Sequence, residues 1–341
     1  DTVVLESEGQ SATARTITEE ALTSALIRVS RDSKKAFYFV EGHGEHSIED
    51  TEREGYSFLK ETLEKQGFAV KKLLLLSEKR IPEDADVVII GGPQRPFTDE
   101  ERMALENYLD GGGQLFVLLD PMVKTDLEQF FSKWGARLEE DIILDPMSGL
   151  GGAIPIINPG GYLPHEITKQ FNLATFYPLA RSVSFDTSLE DKFLFEPFLQ
   201  TSQTSWLTKQ VVGDLAIDPA RDKKGPITIG GVISDKERFP GEAKIGLQGQ
   251  GKKMRLVIIG DADFGTNNVV RASGNGDLFQ NVVSWLAQEG DLVSIRPQEV
   301  ATTTLQLNVQ QINTILYVSV LILPTAVLAT GLSIWRRRRR L

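Results

Sequence analysis

Apolar residues along much of this chain fall in short unbroken runs, separated by stretches with helical spacing. Ala36–Val40 reads A-F-Y-F-V, Asp86–Ile90 reads D-V-V-I-I, Leu115–Leu119 reads L-F-V-L-L, and Arg255–Ile259 reads R-L-V-I-I. Ala69–Leu76 adds a further strand pattern. Between them, Thr51–Gln66 has helical periodicity with Gly67 as its stop, and Thr98 opens a helix through Leu109 that Gly111–Gly113 end. Thr125–Trp134 and a segment capped by Asp277 and ending at Ala287 read as two more helices. Near-continuous apolar strands alternating with helices predict a parallel sheet covered on both faces, with right-handed crossovers. The expected fold class is α/β, a flavodoxin-like three-layer sandwich.

The rest of the chain departs from this rhythm. Residues 1–30 carry a strand pattern at Thr2–Leu5 and a helix capped by Thr18, and read as the remnant of an N-terminal region. The α/β core occupies 34–145 and 251–290 of a domain spanning 31–290. The insertion 146–250 opens with a Gly- and Pro-rich loop, Gly149–Pro164. Short strand patterns at Ser182–Phe185, Phe193–Phe195 and Ile227–Ile233 are expected to be antiparallel additions, and Ile142–Leu144 an added strand. The Arg255–Ile259 strand is expected to rejoin the first sheet. Residues 291–311 form a polar connector.

Ile312–Trp335 contains no charged residue. As one helix it would extend about 36 Å, enough for a hydrocarbon core about 30 Å thick. Trp335 stands where an interfacial aromatic belongs, and Pro324 predicts a kink. Arg336, Arg337, Arg338, Arg339 and Arg340 follow directly. Cytoplasmic flanks are enriched in Lys and Arg, so the expected topology is a single membrane anchor with a cytoplasmic tail at 336–341 and an extracytoplasmic, periplasmic body. The arginines serve either membrane lipid or a protein partner. The start, D-T-V-V-L-E-S-E-G, has no export signal, so a preceding segment with its own membrane helix is expected.

Net charge changes the list of partners. It is −10 overall, although five arginines stand in one run, so the remainder is strongly acidic. That excludes nucleic acid as a partner, because phosphate binding needs a basic face. No cysteine is present, which removes disulfides, thiolate metal sites and a cysteine nucleophile. Neither G-x-x-x-x-G-K-[ST] nor G-x-S-x-G occurs, so the chain carries no Walker-type ATPase and no serine-hydrolase elbow.

Candidate chemistry sits in loops that follow strands, where ligands of open α/β sheets bind. The first is Glu41-Gly42-His43-Gly44-Glu45-His46. Two histidines beside two carboxylates suit an acid–base pair or a metal, though the spacing matches no zinc signature; a polar glycine turn is the plainer reading. The second is G-D-A-D-F, where Asp261 and Asp263 with Asn267 or Asn268 bind a cation or serve turn and capping chemistry. The third is Asp120-Pro121. If all three loops share one sheet edge they line one ligand-binding crevice of Glu41, His43, Glu45, His46, Asp120, Asp261, Asp263 and Asn267.

The motifs F-V-E-G-H-G-E, D-V-V-I-I-G-G-P, F-T-D-E-E, Y-L-D-G-G-G-Q-L-F-V-L-L-D-P, G-D-A-D-F, N-V-V-S-W-L-A and S-I-R-P, in this order, resemble one family. It is the auxiliary, extracytoplasmic (GldG-like) component of gliding-motility-type ABC transport systems. The resemblance runs from about residue 15 to the end. It implies a body related to class I glutamine amidotransferase-like folds without that chemistry, and an ABC permease and ABC ATPase as partners. It implies no cofactor and no catalytic residues. The expected function is therefore a non-catalytic, substrate-binding-type subunit of an ABC transporter. The alternatives are a membrane-tethered metal-dependent hydrolase using the Glu41–His46 loop, and a structural or adhesive surface protein.

Overall fold

A computed structural model describes residues 3–7, 10–14, 34–146, 154–209, 217, 221–236, 253–287, 317–319 and 323–339. The chain divides into two units, Asp1–Pro297 and Gln298–Leu341. Its framework in the first unit is a seven-stranded sheet. The strands are β1 (Ala36–Val40), β2 (Ala69–Leu73), β3 (Ala85–Gly91), β4 (Gln114–Leu118), β5 (Phe193–Gln200), β6 (Thr228–Asp235) and β7 (Arg255–Ile259). They lie in the order β5-β6-β7-β4-β3-β1-β2. The five strands from β7 to β2 are parallel, and β6 and β5 extend the sheet antiparallel beside β7. The late strand thus rejoins the first sheet, as expected.

Both faces of the sheet are buried, which explains the unbroken apolar runs. Every residue of β1 and β4 is buried. Side chains alternate across a strand, so Phe37, Phe39, Val87, Ile89, Phe116 and Val257 face one way. They pack with Leu59 and Leu63 of α1 (Ser57–Lys65). Leu278, Phe279, Val282 and Val283 of the helix Asn275–Leu286 join the same cluster. Tyr38, Val40, Val88, Ile90, Val117 and Ile258 face the other way. There they meet Leu105 and Leu109 of the helix Asp99–Asp110, with Leu127, Phe130, Phe131 and Trp134 beyond. In chain order the helices are α1, α2 (Leu75–Glu78), α3 (Asp99–Asp110), α4 (Leu127–Phe131), α5 (Asn275–Leu286) and α6 (Leu323–Arg338).

Local chemistry sets the helix ends. Thr98 caps α3 in a capping box: its hydroxyl accepts from Glu101 N, and the Glu101 side chain accepts from Thr98 N. Gly67, at φ +90°, ends α1 in the left-handed region, where a Cβ is strained.

Three expectations shift. The helix predicted over Thr51–Gln66 starts at Ser57, because 51–56 form a turn. A Cβ on Gly55 would sit 1.9 Å from the Asp50 carbonyl oxygen, so the turn closes on itself and swings Tyr56 into the core. The strand predicted to Leu76 ends at Leu73, and Leu75 begins α2, anchored by its buried side chain. Asp277 is not the cap of α5; it lies in the first turn, after an N-cap at Gly274. An acidic group there still suits the helix dipole.

The insertion contributes small antiparallel pairings. Ile142–Leu144 pairs with Trp206–Thr208, which pairs with Lys223–Lys224; Ala136–Leu138 pairs with Val183–Phe185. Thr175–Phe176 pairs with Ile156–Ile157. Val3–Ser7 and Gln10–Ala14 form a hairpin. The helix predicted after Thr18, residues 149–153 of the Gly/Pro loop and the 291–311 connector lie outside the described residues.

The predicted span Ile312–Trp335 lies partly outside them as well. Among the described residues no helix is long and apolar enough to cross a membrane. The described helix, α6, has 16 residues and runs on into Arg336, Arg337 and Arg338. At 1.5 Å per residue that is about 24 Å, short of a hydrocarbon core of about 30 Å, and its last turn is cationic. Leu323, Leu328, Ile334 and Trp335 are exposed on it.

Phe279 tests the packing. It is fully buried on α5, with ring centroids 5.1 Å from Phe116 and 6.5 Å from both Phe39 and Phe264. Phe279→Ala is expected to lower the unfolding free energy by about 3–5 kcal/mol in urea titration. Met103→Ala, at an exposed position of α3, is expected to change it by less than about 0.5 kcal/mol.

Candidate functional site

The strands' carboxyl ends bring the predicted loops together. The 41–46 loop leaves β1, Gly91-Gly92-Pro93 ends β3, Asp120 follows β4, and Asp261–Asn267 follow β7. His46 N donates to Gly91 O at 3.0 Å, and Ala262 N donates to Asp120 Oδ1 at 2.6 Å. His46 Nε2 lies 3.9 Å from Asp263 Oδ1 and makes no hydrogen bond, although it is buried. Gly92, at φ +68°, is needed here: a Cβ would come within 2.8 Å of His46 Nε2 and 3.0 Å of the Ala262 Cβ. The His46 ring stacks on Tyr56 with centroids 5.0 Å apart, and Tyr56 Oη donates to Ala262 O at 2.6 Å. His46, Asp120, Asp261, Asp263 and Tyr56 therefore make one cluster, where β1 and β3 diverge to opposite neighbours. This is the switch-point position at which open α/β sheets bind ligands.

Burial sets the protonation of this cluster. Asp261 is fully buried and accepts from Leu179 N at 3.0 Å and Phe264 N at 2.8 Å. Desolvation, with Asp120 close by, holds its carboxyl well above the usual range despite those two donors. Burial also pushes Asp120 up, to about 6, with Asp263 adding to the rise against the Ala262 N–H. Asp263 is raised by burial, which His46 partly opposes. Tyr56 is raised far above its ordinary value by burial first and then by the three aspartates. Burial thus favours the neutral forms of the carboxyl groups in this cluster.

The remaining predicted residues have other roles. His43 turns away from His46, between Glu45 and Glu101 under Phe97. Glu41 accepts from Ser47 Oγ at 2.8 Å and pairs with Lys72 at 2.9 Å. Asn267 is engaged in holding the fold. Its Oδ1 accepts from Phe58 N at 2.9 Å, and its Nδ2 donates to Asp50 O, Glu52 O and Ser57 Oγ. It supplies from a distance of 209 residues the acceptor that α1 lacks at its own N-cap, Tyr56. Within the Glu41–His46 loop of the metal-dependent alternative, His43 and Glu45 stay together at 3.1 Å, whereas His46 and Glu41 face other partners. Among the described residues no group of three or more His, Asp or Glu is arranged to hold a metal ion.

Sequence reasoning missed three residues. Tyr56 was hidden inside a helical pattern. Arg181, 1% exposed, donates to Asp120 O at 3.2 Å, to Glu128 at 2.9 Å and to Glu139 O, fixing the Asp120 turn from behind. Glu101 carries no signal beyond its place in the first turn of α3, yet it is buried and meets His43. A cavity of about 440 Å³, lined by Lys124, Asp126, Glu128, Glu139 and Lys209 among others, lies on that far side of the turn. None of the predicted site residues lines it. Trp335 is half exposed, with the Arg339 guanidinium 4.5 Å above its ring. Arg336 is exposed; Arg337 and Arg338 belong to α6, and Arg340 lies outside the described residues.

A mixed α/β body built on a mixed sheet defines the class; the family follows from comparison. Residues 34–293 match the family model of the ABC-type uncharacterized transport system. The match covers most of the chain, and the protein belongs to this family of ABC transport auxiliary components. The match is to ABC-type transport in general and carries no gliding-motility label. An uncharacterized protein of Borreliella burgdorferi is 21% identical over 360 aligned positions, covering 94% of this chain and 69% of that protein. The fold is similar to that of the mmIFT52 N-terminal domain, with TM-score 0.53 and 17% identity over 74% of this chain and 97% of that one.

Two variants check the roles assigned here. Asn267→Ala leaves the first turn of α1 uncapped and is expected to cost about 1–3 kcal/mol of stability in urea titration. Asp120→Asn keeps an acceptor for Ala262 N and removes a titration. A carboxyl raised from 3.8 to about 6 by folding binds its proton more tightly in the native state. Its contribution is present below about 4 and is lost as pH rises through about 6. The wild-type stability curve is expected to fall across that window, and the Asn variant to lose that part of the slope.

Proposed function

We propose that this protein is a non-catalytic auxiliary subunit of an ABC transporter, its α/β body docked on the permease outside the cytoplasm. The observation that carries this reading is the family match, which spans the whole α/β body, including every loop of the switch-point cluster. The sequence supports the division of labour: with no phosphate-binding P-loop of its own, the chain depends on a separate ATPase. The strand order β2-β1-β3-β4-β7 supports a flavodoxin-like, amidotransferase-related sheet without a cysteine nucleophile. His46, Asp120, Asp261 and Asp263 then serve as a ligand- or partner-binding edge.

The same reading places the C-terminal segment in the membrane. The uncharged stretch 312–335 is followed by arginines suited to the cytoplasmic face and its anionic lipid. A relation to gliding-type systems in particular rests on the ordered motifs alone.

Affinity isolation of the detergent-solubilised protein tests the assignment. The expected result is recovery of one ABC ATPase and one multi-span permease in constant ratio. Recovery of neither, from membranes in which both are produced, overturns it. Protease added to sealed right-side-out cells is expected to digest the acidic body and spare the arginine tail.

A further inference from the structure

His43 stands apart from the switch-point cluster in both position and surroundings. Its Nδ1 lies 3.1 Å from Glu45 Oε1, and its Nε2 lies 3.2 Å from Glu101 Oε2. The ring stacks on Phe97 at 3.9 Å with 12° between the planes. The side chains of His43, Glu45 and Glu101 are 9%, 1% and 1% exposed, so water is excluded from both contacts.

This geometry dictates the protonation state. A neutral imidazole has one N–H and one lone pair. Between two carboxylates, its lone pair would face a second set of lone pairs in a site of low polarity. Only an imidazolium satisfies both sides. Protonating a glutamate instead is disfavoured. Glu101 Oε2 also accepts from Thr98 N at 2.9 Å and Thr98 Oγ1 at 2.8 Å, and Glu45 Oε2 accepts from His43 N at 2.7 Å. Burial opposes ionisation of Glu101, but the Thr98 and His43 contacts outweigh it and leave its carboxyl below the ordinary value. Burial likewise works against the His43 charge, and the two glutamates more than offset it.

We propose that protonated His43 is the pin of a pH-sensitive latch, clamping the 41–46 loop onto the N-terminus of α3. The titratable groups facing the pin are Glu45 from its own loop and Glu101 from α3. From the β3–α3 connection, Arg95 donates to Gly42 O at 3.0 Å and Gln94 N to His43 O at 2.8 Å. The same loop carries His46, whose N–H is held by Gly91 O. Loss of the His43 proton therefore loosens the loop that delivers His46 to the switch-point cluster. The latch stands on these contacts alone and is independent of the transporter assignment. By sign, a histidine raised by folding stabilises the closed loop fully below 6.5 and loses that contribution as pH rises through its folded midpoint.

The test uses the full-length protein in detergent, with histidine-selective ¹³C labelling. The chain has three histidines, so three imidazole signals are followed, each assigned by a single substitution. His43 is expected to titrate above 6.5, and His165, buried beside Trp285, near 4. Hydrogen exchange at residues 43–46, corrected for intrinsic rate, is expected to accelerate through the His43 midpoint. The opening equilibrium rises about tenfold for each unit by which that midpoint exceeds 6.5. Glu101→Gln retains a capping-box residue but removes the negative charge facing His43 Nε2, so it is expected to move the midpoint down. Thr98→Ala removes the cap while leaving both carboxylates, and is expected to keep His43 above 6.5. A wild-type His43 midpoint at or below 6.5, a midpoint unmoved in Glu101→Gln, or loop exchange indifferent to the titration each overturns the latch.

Discussion

Burial of four neighbouring parallel strands on both faces is the constraint on which the rest of this structure depends. A sheet hidden on both sides leaves its side chains no polar outlet, so β1, β3, β4 and β7 are nearly pure hydrocarbon. Polar chemistry is displaced to the strand ends. Because these strands run the same way, their carboxyl ends share one edge, and the chain's functional candidates collect there. Beyond β7 the sheet widens by β6, which runs antiparallel to it, and by β5, which runs antiparallel to β6.

Placing carboxylates beside such a core has an electrostatic cost. Asp261 is fully enclosed, and two backbone N–H groups do not restore what water would give an ion. Burial, with Asp120 adding to it, favours its neutral form, and burial likewise dominates the rise of Tyr56, to which the aspartates add. Arg181 neutralises none of this directly. Its guanidinium is spent on backbone carbonyls and Glu128, behind the Asp120 turn. The cluster is left with acids raised by burial and one buried imidazole nitrogen that makes no hydrogen bond.

What was legible in the sequence follows from how local the cause was. The strands were legible because burial on both faces writes itself into consecutive residues. Thr98 was legible because an N-cap residue stands directly before the helix it opens. The shared edge was legible because each candidate loop follows a strand. Contacts between distant segments were not. Nothing near Asn267 announces that its amide will cap a helix some two hundred residues earlier, and nothing near His43 announces Glu101. The misplaced start of α1 has the same origin: residues 51–56 have helical spacing, but the tight Gly55–Asp50 approach and the pull of Tyr56 into the core override it. Tertiary packing decides between such alternatives more often than propensity does.

Two histidines three residues apart, read in sequence as one site, therefore belong to two different environments. Gly44, at φ +88°, lets the backbone reverse between them. His43 is drawn to the N-terminus of α3 by two carboxylates, while His46 is drawn to the opposite side by Gly91 O and the Tyr56 ring. A metal site would have required both rings to converge. Their divergence instead makes the loop a lever, one arm fixed by charge and the other presenting an unpartnered nitrogen to the aspartates. The glycines that weakened the metal reading of this loop are what permit the two arms to do different work.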